Sequence, residues 1–245
     1  MESYMNRISN TGIVPVVKIL EKEDAYPLAK ALLNGGIDVI EVTYRSEHAT
    51  SAIQTISEQL PDMLVGAGTV LSVEQAKEAV EAGAKFIITP GFNTKVVQWC
   101  LDHDVEVYPG VSTASEVEMA LSMGLTQLKF FPAESSGGAK KLKDLSAPYA
   151  NVHFMPTGGI NTKNMHDYLS LPNVEAIGGS FMLPNDLVVA KDWDGIEALS
   201  RSAIKSLLDF QLIHVGINTN SPEESKQVTD TLCSLFHFTQ YTKPK

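Results

Sequence analysis

The chain has 245 residues, 44% hydrophobic and 20% charged, a balance typical of globular proteins and a length that suits one substantial α/β core. Its net charge of −10 argues against a nucleic-acid or anionic-membrane surface, both of which need clustered Lys and Arg. Cys100 and Cys233 lack CxxC or metal-finger spacing and read as buried free thiols in a reducing compartment.

The opening MESYMNRISNTG is polar, and no apolar run approaches the roughly 20 residues of a membrane span, so a cytoplasmic protein is expected. A short helix over residues 3–9 leads into eight apolar or β-branched runs. They begin at Ile13 (IVPVV), Val39 (VIEVT), Leu64 (LVGAGT), Phe86 (FIITPG), Glu106 (EVYPGV), Leu128 (LKFFP), His153 (HFMPTGG) and Ala176 (AIGGS), 20 to 26 residues apart. Between them lie helix-like stretches such as PLAKALLNGG, SVEQAKEAVEAGA, TASEVEMALSMG and TKNMHDYLSL. Several open on Ser or Thr caps and several close on Gly. Strand then helix at this period is the signature of parallel βαβ units, and eight units predict an α/β (β/α)8 TIM barrel over residues 1–209. DGIEALSRSAIKSLL (194–208) supplies its eighth helix. The alternative, a doubly wound sheet, lacks a GxGxxG after the first run. Residues 210–245 read as a C-terminal strand–helix appendage.

Catalytic side chains of such barrels sit at the C-terminal ends of the strands. Lys129, inside Leu-Lys-Phe-Phe-Pro, is the sharpest signal there, because a buried ammonium is costly unless paired. It either snorkels outward between helices or points into the mouth, where Phe131 would desolvate it and its neutral amine could attack a carbonyl. The second reading is preferred. Glu41, Thr43 and Arg45 share one face of the second run. They form either a structural Glu41–Arg45 ion pair or a site in which Glu41 shuttles protons and Arg45 holds a substrate carboxylate. Gly66-Ala67-Gly68-Thr69 allows close backbone approach, with the Thr69 hydroxyl donating to the same carboxylate, and tight packing explains its glycines equally well. Pro90 ends the fourth run. Thr157-Gly158-Gly159 and Gly178-Gly179-Ser180 fall at the seventh and eighth loops, where these barrels often bind phosphate through backbone N–H groups. His48, His103, His153 and His166 have no metal-ligand spacing, so no metal site is expected.

The segments EVTYR (41–45), GAGTV (66–70), TPG (89–91), PGVST (109–113), KFFPAE (129–134), PTGGI (156–160) and IGGS (177–180) together resemble the 2-dehydro-3-deoxy-phosphogluconate (KDPG) and 4-hydroxy-2-oxoglutarate (KHG) aldolases. The resemblance covers residues 11–208. It implies a cofactor-free, metal-free class I lyase in which Lys129 forms a Schiff base with pyruvate and Glu41 transfers protons. It also implies that Arg45 and Thr69 hold the pyruvate carboxylate and that Pro90 and Phe131 line the pocket. Gly158, Gly159, Gly179 and Ser180 would hold the phosphate of the aldehyde half. A homotrimer is the implied assembly. The expected reaction is cleavage of 2-dehydro-3-deoxy-6-phosphogluconate to pyruvate and glyceraldehyde 3-phosphate, with 4-hydroxy-2-oxoglutarate as a second substrate. The galactonate-derived epimer is an alternative substrate, and a phosphosugar isomerase or epimerase an alternative of another class. The tail's IHVGINT…FHF pattern resembles the start of a glyoxalase-like module, in which His214 would match a metal ligand; the chain ends before that module's further units.

Overall fold

Alternation along the apolar runs sorts their side chains into two layers. In the computed structural model, which describes residues 4–209 and 221–236, nine strands occupy the eight runs. They are β1 (Ile13–Val17), β2 (Val39–Thr43), β3 (Leu64–Gly68), β4 (Phe86–Ile88), β5 (Glu106–Tyr108), β6 (Gly110–Val111), β7 (Gln127–Phe130), β8 (His153–Pro156) and β9 (Ile177–Gly179). Val14, Val39, Leu64, Phe86, Ile88, Tyr108, Met155 and Ala176 form an inner cluster. Their neighbours Ile13, Ile40, Val42, Val65, Ile87, Val107, Leu128, Phe130, Phe154 and Ile177 belong to a larger cluster packed under the helices. Every named strand pairing is parallel, which gives a curled parallel sheet flanked by helices.

The strands fall into two ladders, ordered β5-β4-β3-β2-β1-β9 and β6-β7-β8. Sequence reading takes EVYPGV as one strand. The structure divides it at Pro109, which has no N–H to donate to a ladder: Glu106–Tyr108 pairs with β4, and Gly110–Val111 pairs with β7. At the other junction, isolated bridges join Phe154 to Val174 and Thr157 to Gly178.

The helices are α1 (Tyr4–Thr11), α2 (Ala25–Asn34), α3 (Ala49–Gln59), α4 (Val73–Glu81), α5 (Thr94–Asp102), α6 (Ala114–Ser122), α7 (Gly138–Ser146), α8 (Met165–Leu169), α9 (Asn185–Ala190), α10 (Trp193–Leu208) and α11 (Pro222–Phe236). Side chains that satisfy orphan N–H groups start several of them: Ser72 accepts from Gln75 N–H, and Thr113 forms a capping box with Glu116. The last helix of the repeat packs on the first. A Cβ on Gly35 after α2 would lie 2.4 Å from the Ser200 Cβ of α10.

The chain divides into two compact units, Met1–Asp209 and Phe210–Lys245. Of the appendage expected from sequence, the helix is α11, whereas the strand and His214 lie outside the described residues. No described helix is long and apolar enough to cross a membrane. Among the described residues, no cluster of three or more His, Cys, Asp or Glu is placed to hold a metal. Cys100 is fully buried, and burial pushes its thiol up to about 12, a value that keeps it protonated and inert.

The leading helix α1 runs two residues beyond the expected 3–9 and covers the N-terminal end of the inner cluster with Met5 and Ile8. Arg7 fastens it. Its Nε donates to Asp38 Oδ2 at 2.9 Å and its Nη2 to the carbonyls of Asp38 (3.2 Å) and Asp62, while Thr11 donates to Asp38 Oδ1 at 2.5 Å. The ion pair is more than one-third exposed and contributes little by itself, so the two carbonyl bonds carry most of the effect. Arg7→Ala is expected to cost about 1 kcal/mol. In a thermal melt this reads as a melting temperature lower by about 2–4 °C.

Candidate active site

Two charged residues interrupt the apolar inner face, and they meet. Lys129 Nζ lies 3.1 Å from Glu41 Oε1 and 3.3 Å from Oε2, with Lys129 4% exposed and Glu41 fully buried. β2 and β7 belong to different ladders, so the pair spans the curl of the sheet. This geometry decides both alternatives left open by the sequence. Lys129 points inward rather than snorkelling, and Glu41 pairs with Lys129 rather than with Arg45. The Phe131 ring stands 5.4 Å from Nζ, measured to its centroid, and shields the ammonium while attracting it.

The room for Glu41 is made by a missing side chain. A Cβ on Gly68 would sit 2.0 Å from Glu41 Oε1, and one on Gly66 would sit 2.0 Å from the Phe86 ring. The glycines of Gly-Ala-Gly-Thr thus accommodate side chains from neighbouring strands, which is the packing alternative of the two readings the sequence left open. Thr69, which follows them, has φ +54°, a strained conformation for a β-branched residue. Such strain is held only where the surroundings impose it, and it concentrates at functional sites.

Above Glu41, Thr43 is fully buried and fixes its neighbours. Its hydroxyl donates to Val17 O at 2.7 Å and accepts from Arg45 Nε at 3.0 Å. Arg45 therefore points in one direction, into a cavity of about 210 Å³ that Val17, Lys18, Ser180 and Asn185 also line. Pro90 lines a groove with Leu71, Thr89 and Phe92. The structure thus brings Lys129, Glu41 and Phe131 together, and separately Arg45 and Ser180.

The seventh loop is a left-handed turn, with φ +106° at Gly158 and +82° at Gly159. Thr157 O accepts from Ala133 N–H at 2.8 Å and Gly158 O from Glu134 N–H at 3.1 Å. Among the described residues, no acceptor meets the Gly159 N–H. Gly178 behaves differently: it pairs with Val14 in β9, and a Cβ there would lie 2.2 Å from Thr157 Oγ1. Its lack of a side chain is explained by packing. That Thr157 hydroxyl is buried and, among the described residues, has no hydrogen-bond partner. Gly179 likewise makes room for the Phe181 ring, whose Cδ1 would be 2.9 Å away.

Sequence reasoning missed Lys18 and Asn185 in the Arg45 cavity, and it missed the orienting role of Thr43. The strand-end rule could have found Lys18, which directly follows β1, but the first run was read only to Val17. Asn185 opens α9 after a loop without strand or helix periodicity, so nothing local marks it.

The sequence profile of the KDPG and KHG aldolase family matches residues 4–199. A 2-dehydro-3-deoxy-phosphogluconate aldolase of Treponema pallidum is 44% identical over 205 residues, 84% of this chain and 98% of the relative. A KHG/KDPG aldolase of Escherichia coli K12 is 44% identical over 199 residues, 81% of this chain and 93% of the relative. Among solved structures, a KDPG aldolase from Legionella pneumophila, with pyruvate captured at low pH as a covalent carbinolamine intermediate, superimposes with a TM-score of 0.80. It is 39% identical, over 83% of this chain and 99% of that one. This chain belongs to the KDPG and KHG aldolase family.

Proposed function

We propose that the protein is a class I aldolase that cleaves 2-dehydro-3-deoxy-6-phosphogluconate to pyruvate and glyceraldehyde 3-phosphate through a Lys129 Schiff base. 4-Hydroxy-2-oxoglutarate, giving pyruvate and glyoxylate, is its second substrate. The observation that carries this reading is the buried Lys129–Glu41 pair, an amine 3.1 Å from the base able to take its proton. An isomerase or epimerase on a phosphate-binding barrel would not need an amine nucleophile. Carbinolamine capture in the Legionella relative supports the same chemistry.

The steps follow from the placement. Lys129 as a neutral amine adds to the C2 ketone, and loss of water from the carbinolamine leaves an iminium that draws electrons from C3. Glu41, through water, takes the C4 hydroxyl proton, so that the aldehyde forms, the C3–C4 bond breaks and its electron pair leaves an enamine on Lys129. Glu41, through water, delivers a proton to C3, and hydrolysis of the iminium releases pyruvate and regenerates the amine. Arg45, oriented by Thr43, and the Thr69 hydroxyl hold the pyruvate carboxylate, while Phe131 and Pro90 line the pocket. The Gly158–Gly159 turn with Gly179 and Ser180 receives the phosphate; the unclaimed Gly159 N–H supports this part of the reading.

The same reading closes the two ladders into a (β/α)8 barrel. Its support is the bridge from Thr157 to Gly178, the single residue between β5 and β6, and the Lys129–Glu41 contact across the inner face. Residues 1–209 form the catalytic unit and 210–245 an appendage. The assembly is a homotrimer, testable by light scattering, and a phosphorylated substrate that cannot cross a bilayer unaided places it in the cytoplasm.

Borohydride reduction in the presence of pyruvate is expected to leave one stable adduct on Lys129, read by peptide mass. An intact, folded protein with no adduct would exclude the Schiff base. Lys129→Ala should abolish turnover, and Glu41→Gln should lower kcat by about 100-fold or more with the fold retained by circular dichroism. Arg45→Ala should instead raise the apparent binding constant for pyruvate by about tenfold or more.

Gly68→Ala isolates the placement of Glu41 from its chemistry. The added Cβ displaces the carboxylate, so kcat should fall by about 100-fold although both charged residues remain. A Gly68→Ala enzyme with unchanged steady-state kinetics would show that the position of Glu41 does not matter.

A further inference from the structure

The Gly158–Gly159 turn does not hold its own shape, because two glycines with positive φ keep wide backbone freedom. It is held from outside. Glu134 N–H donates to Gly158 O at 3.1 Å, and Asn164 Nδ2 donates to Gly159 O at 3.1 Å. The Glu134 methylenes fill the remaining side of the turn: a Cβ on Gly159 would lie 2.6 Å from Glu134 Cγ and 2.9 Å from its Cβ. Among the described residues, apart from the glycine's chain neighbours, no other atom comes within 4 Å of that position, so the carboxylate is turned elsewhere.

Its destination is the Tyr168 hydroxyl on α8, which donates to Glu134 Oε1. Tyr168 is 1% exposed, and burial, then the Glu134 carboxylate, raise its phenol well above the ordinary range. The hydroxyl therefore remains a donor at any working pH. The start of α7 covers the pair, since a Cβ on Gly138 would lie 3.4 Å from the Tyr168 oxygen and 3.5 Å from Glu134 Oε1. Glu134 itself is solvent-exposed, so without this bond its carboxylate is free to rotate. A negative charge swinging beside an anion-receiving turn repels the anion.

We infer that Tyr168 is a positioning residue for the substrate phosphate: it anchors Glu134 so that the methylenes support the Gly158–Gly159 turn and the carboxylate stays off the phosphate. The inference rests on the proposed phosphate role of that turn. It makes Tyr168, acting through the placement of Glu134, a determinant of the preference for phosphorylated over unphosphorylated substrates, with no contact to the reacting carbons.

The test is steady-state kinetics of the full-length protein on 2-dehydro-3-deoxy-6-phosphogluconate and on unphosphorylated 4-hydroxy-2-oxoglutarate. Four proteins are compared: wild type, Tyr168→Phe, Glu134→Gln and the double variant. Tyr168→Phe is expected to raise KM for the phosphorylated substrate by about tenfold, or about 1.4 kcal/mol, with kcat and the KM for 4-hydroxy-2-oxoglutarate unchanged. Glu134→Gln, which keeps an acceptor for Tyr168 and removes the charge, stays near wild type. In the double variant it recovers most of the lost affinity, because no carboxylate remains to be misplaced. Equal losses on both substrates would mean a purely structural role and overturn the inference, as would an unchanged Tyr168→Phe enzyme. If wild type shows no preference for the phosphorylated substrate and inorganic phosphate does not compete with it, the phosphate turn itself is wrong. A wild-type preference that survives intact in Tyr168→Phe defeats the inference alone.

Discussion

A lysine ammonium and a glutamate carboxylate stand 3.1 Å apart in a layer otherwise filled by Val, Leu, Ile, Phe, Tyr and Met side chains. Either charge alone there would cost several kcal/mol, and together they need close geometry to offset their desolvation. That requirement propagates outward. Gly68 must lack a side chain so that Glu41 can lie across β3, and Phe131 must shield Nζ. The two residues come from strands of different ladders, so the curl of the sheet must bring those strands face to face. The pair adds little to stability for its cost, and in the proposed reaction its value is a proton acceptor held beside a buried amine.

Glycine does two different jobs around this site. At Gly66, Gly68 and Gly178 the backbone is ordinary strand, and the absent Cβ is replaced by Phe86, Glu41 and Thr157 from a neighbouring segment. At Gly158 and Gly159 the backbone itself needs positive φ, and a larger residue would be strained whatever the space around it. Only the second kind shapes a loop toward a ligand. The two Gly-Gly turns that look alike in sequence are therefore not equivalent, and the seventh loop carries more of the phosphate reading than the eighth.

Separation of support from chemistry runs through the rest of the site. Thr43 touches Val17 O and the Arg45 guanidinium, and it determines where a carboxylate fork can point. Glu134 and Tyr168 stand in the same relation to the Gly158–Gly159 turn. Residues proposed to meet the substrate are thus placed through the buried Thr43 and Tyr168, which is how a mouth made of loop ends acquires definite geometry.

Much of this was legible in the residues themselves. Strand and helix follow from hydrophobic periodicity and caps, which are local properties, so the segments read from sequence coincide with observed elements, with ends displaced by up to about three residues, as at 162–171 against α8 (Met165–Leu169). Lys129 was conspicuous because an ammonium in an apolar strand has few affordable fates, and Glu41, Thr43 and Arg45 because strand alternation puts them on one face. The family motifs brought the same residues together independently. What local pattern could not decide was partnership across the sheet. Sequence left Glu41 free to pair with Arg45 or with something distant, and only the curl of the strands placed Lys129 within reach. It read EVYPGV as one strand, because the break at Pro109 depends on which neighbour each half pairs with. It offered no hint that Thr69 is strained, that Lys18 and Asn185 share the Arg45 cavity, or that Tyr168 holds Glu134 across 34 residues of chain. Each of these is a contact between segments far apart in the chain, and such contacts exist only once the backbone has folded.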